Sequence, residues 1–174
     1  MTTLTNLPFR RLCVGFGADI TTTEMALCGN LLDWKMNEWS LLRRHPSEKL
    51  FGVQIASGRA DEVEKVCKLL QAGCQVDFID LNAGCPIDAI NKAGAGANLL
   101  THVGRLKRLS QTILDSITSM SLVVKIRVGD HEATSHRLIP QLQQLVGKRG
   151  NRVNGVVIHG RTKVARYSTQ ADWK

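Results

Sequence analysis

The sequence predicts an α/β protein built on a parallel sheet, in which each strand is followed by a helix that covers it. Two observations lead there. Short apolar, β-branched runs alternate along the chain with longer segments of helical period, the pattern of repeated βα units. Each apolar run also closes on polar or glycine residues, and no internal repeat, low-complexity tract or linker interrupts the series, so one continuous domain over residues 1–174 follows.

In chain order, residues 7–16 carry a helical period that Pro8 opens, and residues 18–22 form the first strand-like run. A helix is expected over residues 36–44 and a strand over residues 50–55, where Phe51, Val53 and Ile55 recur at every second position. Helix 61–72 then precedes strand 77–82, and helix 106–117 precedes strand 122–127. Helix 135–146 and strand 155–159 complete the series. Gly73 and Gly147 stand where a helix end favours a left-handed residue. An open doubly wound sheet accommodates these strands as they stand, whereas a closed barrel needs eight; the pattern alone leaves both open. The last strand-like run comes close to Lys174 with no covering helix after it, and the first helix follows almost directly on Met1, so the pattern is expected to be cut short at both ends.

Composition narrows the function classes. The formal net charge is +8 with a pI near 9.6, which attracts polyanions at long range and makes RNA a natural partner. No Lys/Arg run exceeds two residues, so an ordinary basic domain fits the charge as well. No apolar run is long enough to span a bilayer, and the segment before Arg10 lacks the apolar core of a signal peptide, so neither membrane nor export is expected. The five cysteines are irregularly spaced, with no CxxC pair and no histidine pair at metal-ligand spacing. A reducing compartment, cytoplasmic or nuclear, and no metal site follow.

In a parallel sheet covered by helices, ligands meet the C-terminal strand ends. There the apolar runs close on Thr22-Thr23-Glu24, on Gln54, on Asn82-Ala83-Gly84-Cys85-Pro86, on Lys125-Ile126-Arg127 and on His159-Gly160-Arg161-Thr162. A strand must turn polar where it leaves the core, but hydrogen-bonding or titratable groups at every end point to a site. Gly84 and Pro86 would hold the Cys85 thiol on a rigid loop, as nucleophile, acid or redox group, with Lys125 or His159 tuning it. Cys13, Cys28, Cys67 and Cys74 read as structural. Lys125 interrupts a run that should be buried, so it either faces an anionic ligand or reduced cofactor, or snorkels to solvent. Gln54 could equally be a satisfied core residue, and His159 has that alternative too, although Gly160-Arg161-Thr162 follows at once and adds donors that favour a site. The small-residue segment 91–97 reads either as a weak phosphate loop or as a flexible basic lid near Cys85.

Taken together, Gly17-Ala18-Asp19-Ile20-Thr21-Thr22-Thr23-Glu24-Met25, Phe51-Gly52-Val53-Gln54, Asp80-Leu81-Asn82-Ala83-Gly84-Cys85-Pro86, Val124-Lys125-Ile126-Arg127 and Ile158-His159-Gly160-Arg161-Thr162 resemble, in this order, the tRNA dihydrouridine synthases. Cys85-Pro86-Ile87-Asp88, with Asn6-Leu7-Pro8-Phe9-Arg10-Arg11 and Ala171-Asp172-Trp173, is most similar to the eukaryotic branch that acts in the tRNA variable loop. The resemblance implies a (β/α)8 TIM barrel that binds FMN and takes electrons from NADPH, followed by a helical tRNA-binding domain. About the first six βα units are expected here, with strands seven and eight and the helical domain absent, and FMN binding is expected to be weak or lost in the chain alone.

By the same resemblance Cys85 gives a proton to uracil C5 after hydride moves from flavin N5 to C6. Lys125 hydrogen-bonds the flavin ring and offsets its negative charge when reduced, Gln54 and His159 also hold the flavin, and Met1 and Thr2 touch it through their backbone. Asn82 and Arg161 sit beside the uracil or the ring. Another FMN barrel that reduces or oxidises a conjugated ring is the rival enzyme, and a non-catalytic fragment that keeps charge-driven RNA affinity is the rival outside catalysis.

Overall fold

A computed structural model describes residues 3–171. Its sheet contains β1 (Ile20–Thr22), β2 (Ala26–Leu27), β3 (Leu50–Ala56), β4 (Phe78–Ala83), β5 (Ser121–Arg127) and β6 (Val153–His159). Every pairing is parallel, and the order β1-β3-β4-β5-β6 follows the chain, with β2 also pairing β3. That order decides between the two architectures. A doubly wound sheet reverses its strand order at a switch point, whereas a barrel adds each new strand beside the last. The fold is therefore α/β, the described strands forming an arc of a (β/α)8 TIM barrel.

β1 and β2 are one strand broken at Thr23. Thr23 donates its backbone N–H to Gly52 O at 3.0 Å, and its hydroxyl accepts the Gln54 N–H at 3.0 Å, so a side chain continues the ladder where the backbone leaves it. The expected strand over residues 18–22 is thus shorter at its start and resumes after the break. The remaining strands lie within two residues of expectation.

The helices are α1 (Leu7–Gly15), α2 (Cys28–Leu32), α3 (Met36–Leu41), α4 (Ala60–Gly73), α5 (Asp88–Lys92), α6 (Val103–Ser116) and α7 (Ser135–Gln143), with a 3-10 turn at Gly96–Leu100. Asn6 caps α1 by accepting the Phe9 N–H at 3.0 Å. α3 and α7 stop short of the expected residues 44 and 146; after α7 the chain turns so that Val146 pairs with Arg152. The glycines expected to be left-handed at helix ends are not: positive φ occurs at Gly17, Gly94, Gly96 and Gly150, and Gly73 and Gly147 are not among them.

Strand parity separates two jobs. Phe51, Val53, Ile55, Ile79, Leu81, Ala83, Leu122, Val124 and Ile126 are fully buried and pack with Val63, Val66 and Leu70 of α4 and Leu106, Leu109 and Ile113 of α6. The intervening residues face the other side, where the register sets Gln54 beside Asp80, Asn82 beside Lys125 and Arg127 beside His159. Below them Gly52 pairs with Phe78; a Cβ on Gly52 would lie 2.1 Å from the Phe78 ring, so glycine clears the space that the ring fills.

Candidate active site

The polar inner face opens into a cavity of about 260 Å³ lined by Gln54, Asn82, Cys85, Lys125, Arg127, His159 and Tyr167. Each of β3, β4, β5 and β6 therefore contributes at least one polar group within two residues of its C-terminal end. Of the residues singled out from the sequence, Gln54, Asn82, Cys85, Lys125 and His159 meet here. Arg161 does not line the cavity and stands behind His159. Met1 and Thr2 lie outside the described residues.

Cys85 is half-buried and its backbone is pinned at both ends. Its N–H donates to Asn82 Oδ1 at 2.9 Å, and its carbonyl accepts from Ala97 N at 2.9 Å and Asn91 Nδ2 at 3.2 Å. Asn91 also donates to Ile87 O at 2.8 Å. The segment 91–97 is therefore no flexible lid. Ala95, Gly96 and Ala97 are buried against the loop, and α5 and the 3-10 turn form a buttress under the thiol. Gly96 has φ +59, and a Cβ there would lie 2.7 Å from Cys85 O, so only glycine permits this approach.

Asn82 holds the loop from below. Its Oδ1 accepts the N–H of Gly84 at 3.1 Å as well as that of Cys85, and its Nδ2 donates to Gln54 Oε1 at 2.8 Å. Gln54 Nε2 donates in turn to Asp80 Oδ2 at 2.6 Å. Asp80 was not among the residues expected at the site, because a carboxylate two positions before the strand end looks like an ordinary inner-face group. Only 4% of it is exposed, and burial pushes its pKa up to about 6, against the lowering effects of Gln54 and Lys125.

Lys125 is half-buried, and its ammonium has no hydrogen bond or ion pair among the described residues. Burial lowers its pKa; Asp80, diagonally below on β4, opposes that shift, and Arg127 adds to it. Asp80 is thus the counter-charge of Lys125 among the described residues, though not in a contact ion pair.

The guanidinium of Arg127, itself 1% exposed, donates from Nε to Gly84 O at 2.9 Å and from Nη1 to Thr162 O at 2.9 Å and Arg166 O at 3.0 Å. It ties the Cys85 loop to the loop after β6 and lies over the Tyr167 ring. The sequence motif contains Arg127 and suggests no such clamp, since the loop carbonyls it binds lie about forty residues away on either side. Arg161 Nη1 lies 3.0 Å from His159 Nε2, and its Nε donates to Thr169 O at 2.6 Å. A guanidinium only donates, so His159 Nε2 accepts and the ring proton sits on Nδ1. Burial, then the positive charges of Arg127, Lys125 and Arg161, hold His159 below its ordinary pKa and favour the neutral ring.

A cavity ringed by hydrogen-bond donors, with a pinned thiol at its rim, matches the motif order read from the sequence. The model of the family described as Dihydrouridine synthase matches residues 1–174. The chain belongs to the dihydrouridine synthase family. A protein of Rattus norvegicus named tRNA-dihydrouridine(47) synthase (NAD(P)(+))-like is 43% identical over 175 residues, covering 99% of this chain and 26% of that protein. The protein of the same name from Arabidopsis thaliana is 44% identical, covering 99% of this chain and 24% of its own length. A tRNA-dihydrouridine(47) synthase (NAD(P)(+)) of Coprinopsis cinerea is 42% identical, with 99% and 25% covered. The chain thus spans about a quarter of the length of the curated relatives it matches. Among the described residues no helix is long and apolar enough to cross a membrane.

Proposed function

We propose that this cavity is the uridine-reducing site of a tRNA-dihydrouridine synthase acting in the cytoplasm or nucleus, with FMN as its cofactor and NADPH as electron donor. The observation that carries the reading is the convergence of Gln54, Asn82, Cys85, Lys125 and His159, far apart in sequence, on one cavity. The donor set supports a flavin. Gln54 Nε2 and Asn82 Nδ2 each keep one N–H beyond the bonds described, Lys125 offers an ammonium without a hydrogen-bond partner among the described residues, and His159 carries its proton on Nδ1. Such a set suits the carbonyl and ring-nitrogen acceptors of an isoalloxazine or a uracil, and the Lys125 charge would offset a negative one on the reduced ring. When bound, FMN would supply the hydride for uracil C6.

The protein's own groups would do the rest. Cys85 would hold a proton at Sγ and deliver it to uracil C5, its position fixed by Asn82, Asn91 and Ala97. Gln54, Lys125 and His159 would orient the flavin. Asn82 and Arg161, expected from the resemblance beside the uracil or the ring, also hold the Cys85 loop and the His159 ring. For tRNA, the +8 charge supports attraction to the backbone. An open groove of about 570 Å³ beside the Cys85 loop carries Lys92, Lys163 and Arg166, the last two in ion pairs with Asp130 and Asp88. The test is the dihydrouridine content of tRNA from cells whose own enzyme is deleted and replaced by the intact gene that encodes this chain, unaltered or with Cys85→Ala. Dihydrouridine restored by the first and not by the second is expected; equal levels would remove Cys85 from the chemistry.

A further inference from the structure

Between the floor of the cavity and the thiol loop runs a continuous line of side-chain hydrogen bonds. It starts at Asp80 Oδ2, which accepts from Gln54 Nε2 at 2.6 Å; Gln54 Oε1 accepts from Asn82 Nδ2 at 2.8 Å; Asn82 Oδ1 accepts from Gly84 N at 3.1 Å and Cys85 N at 2.9 Å. We infer that Asp80 is a positioning residue for Cys85, acting from β4 through the amides of Gln54 and Asn82 on the backbone that carries the thiol.

The argument rests on donor and acceptor identity. A carboxylate only accepts, so the lower end of the line admits only the NH2 of Gln54. Gln54 must then turn its oxygen to Asn82, and Asn82 its oxygen to the loop. The upper end demands the same direction, because Gly84 and Cys85 offer N–H groups. Reversing both amides would set donor against donor at the loop and oxygen against carboxylate at the floor, and reversing one alone would add a like-against-like contact between Gln54 and Asn82. Both ends exclude the reversed pattern, so the two amides are locked.

Packing alone gives Asp80 no reason to be acidic. Its Oδ1 is buried without a hydrogen-bond partner among the described residues, and buried polar groups left unpaired are rare and costly. An apolar side chain would fill the same space without that cost. What the carboxylate adds is a charge-assisted bond at the base of the line, stronger than a neutral one, and an anion diagonal to Lys125. Its raised pKa agrees with a group kept despite its burial.

The role of Cys85 as proton donor rests on the proposed function, but the alignment does not, so the test needs neither flavin nor RNA. Amide hydrogen exchange of the protein is compared with that of Asp80→Leu and Asp80→Asn. Exchange at Gly84 and Cys85 should speed up about tenfold in Asp80→Leu, the loss of one net hydrogen bond, and less in Asp80→Asn, which can still accept. The amides of Ile79 and Leu122 in the same strands should keep their rates. Unchanged exchange at Gly84 and Cys85, or an acceleration shared equally by Ile79 and Leu122, would overturn the inference. Should Asp80→Leu fail to fold, Gln54→Met cuts the same line from β3 and must loosen the same two amides, unchanged rates there being equally fatal. Loosened amides with no tRNA activity would sink the enzymatic reading alone; an active enzyme with unmoved amides would sink the relay alone.

Discussion

Gly96→Ala tests whether the Cys85 loop is as rigidly supported as its hydrogen bonds indicate. Gly96 has φ +59, and an added Cβ would meet Cys85 O at 2.7 Å, Ile90 Cγ2 at 2.9 Å and Cys85 Cβ at 3.3 Å. The left-handed conformation costs an alanine about 1 kcal/mol. Forcing a methyl into occupied space adds roughly 2 kcal/mol, since the nearest atom is backbone pinned by Ala97 and Asn91 and cannot swing aside. The expected destabilisation is about 3 kcal/mol. Gly150→Ala provides the control, with φ +78 and nothing within 4 Å of the added Cβ, so it incurs the conformational cost alone. Urea unfolding followed by circular dichroism should place Gly96→Ala about 2 kcal/mol below Gly150→Ala at equal m-value. In thermal melts the gap corresponds to roughly 4–8 °C for a chain of this size. Should the two variants agree within about 0.5 kcal/mol, the 91–97 segment gives way at no cost and the buttress reading is wrong.

Two pH predictions follow from the same inner face. Asp80 in the fold holds its proton up to about pH 6, above the ordinary 3.8, so the folded state binds that proton more tightly than the unfolded state. Stability from this group is therefore full below the ordinary value and is lost as pH rises to about 6, by roughly 3 kcal/mol. Urea unfolding of the protein minus that of Asp80→Asn, taken from pH 4 to pH 7, should show this fall, and parallel curves would refute it. His159 goes the other way: its lowered pKa stabilises the fold above the ordinary 6.5, and that contribution declines as pH falls. Nitrogen-15 NMR at pH 6.5 should find a neutral His159 ring protonated at Nδ1, and an imidazolium there would contradict the assigned bond from Arg161.

Period-2 patterning made the sheet legible, because the outer-face residues Phe51, Val53 and Ile55 must meet helices whatever the inner face does. The short elements were not legible. β2 and α2 have too few residues for a period to show, and the break before them depends on the Thr23 hydroxyl standing in for a backbone group. Cys85, Lys125 and His159 could be found because each is out of character in an apolar strand or glycine-proline loop. Asp80 and Arg127 stayed hidden for a different reason: what they do depends on partners on other strands and loops, and no spacing within the chain encodes them. The glycine-rich 91–97 segment misled because small residues serve close packing as well as flexibility, and sequence does not separate the two.

The parity of the strands ties the site to the core more firmly than any of its own bonds. Slipping β4 by one residue would turn Leu81 into the cavity and press Asp80 and Asn82 against the largely apolar inner faces of α4 and α6. A buried carboxylate without a partner there would cost several kcal/mol, and Ile79 and Leu81 would also give up their burial against the helices. The apolar outer face and the polar inner face thus specify the same register independently. That is why an inner face can persist on which the Lys125 ammonium and Asp80 Oδ1 have no hydrogen-bond partner among the described residues: the outer face holds the strands in place, and the inner side chains are left to be chosen for what they present to the cavity.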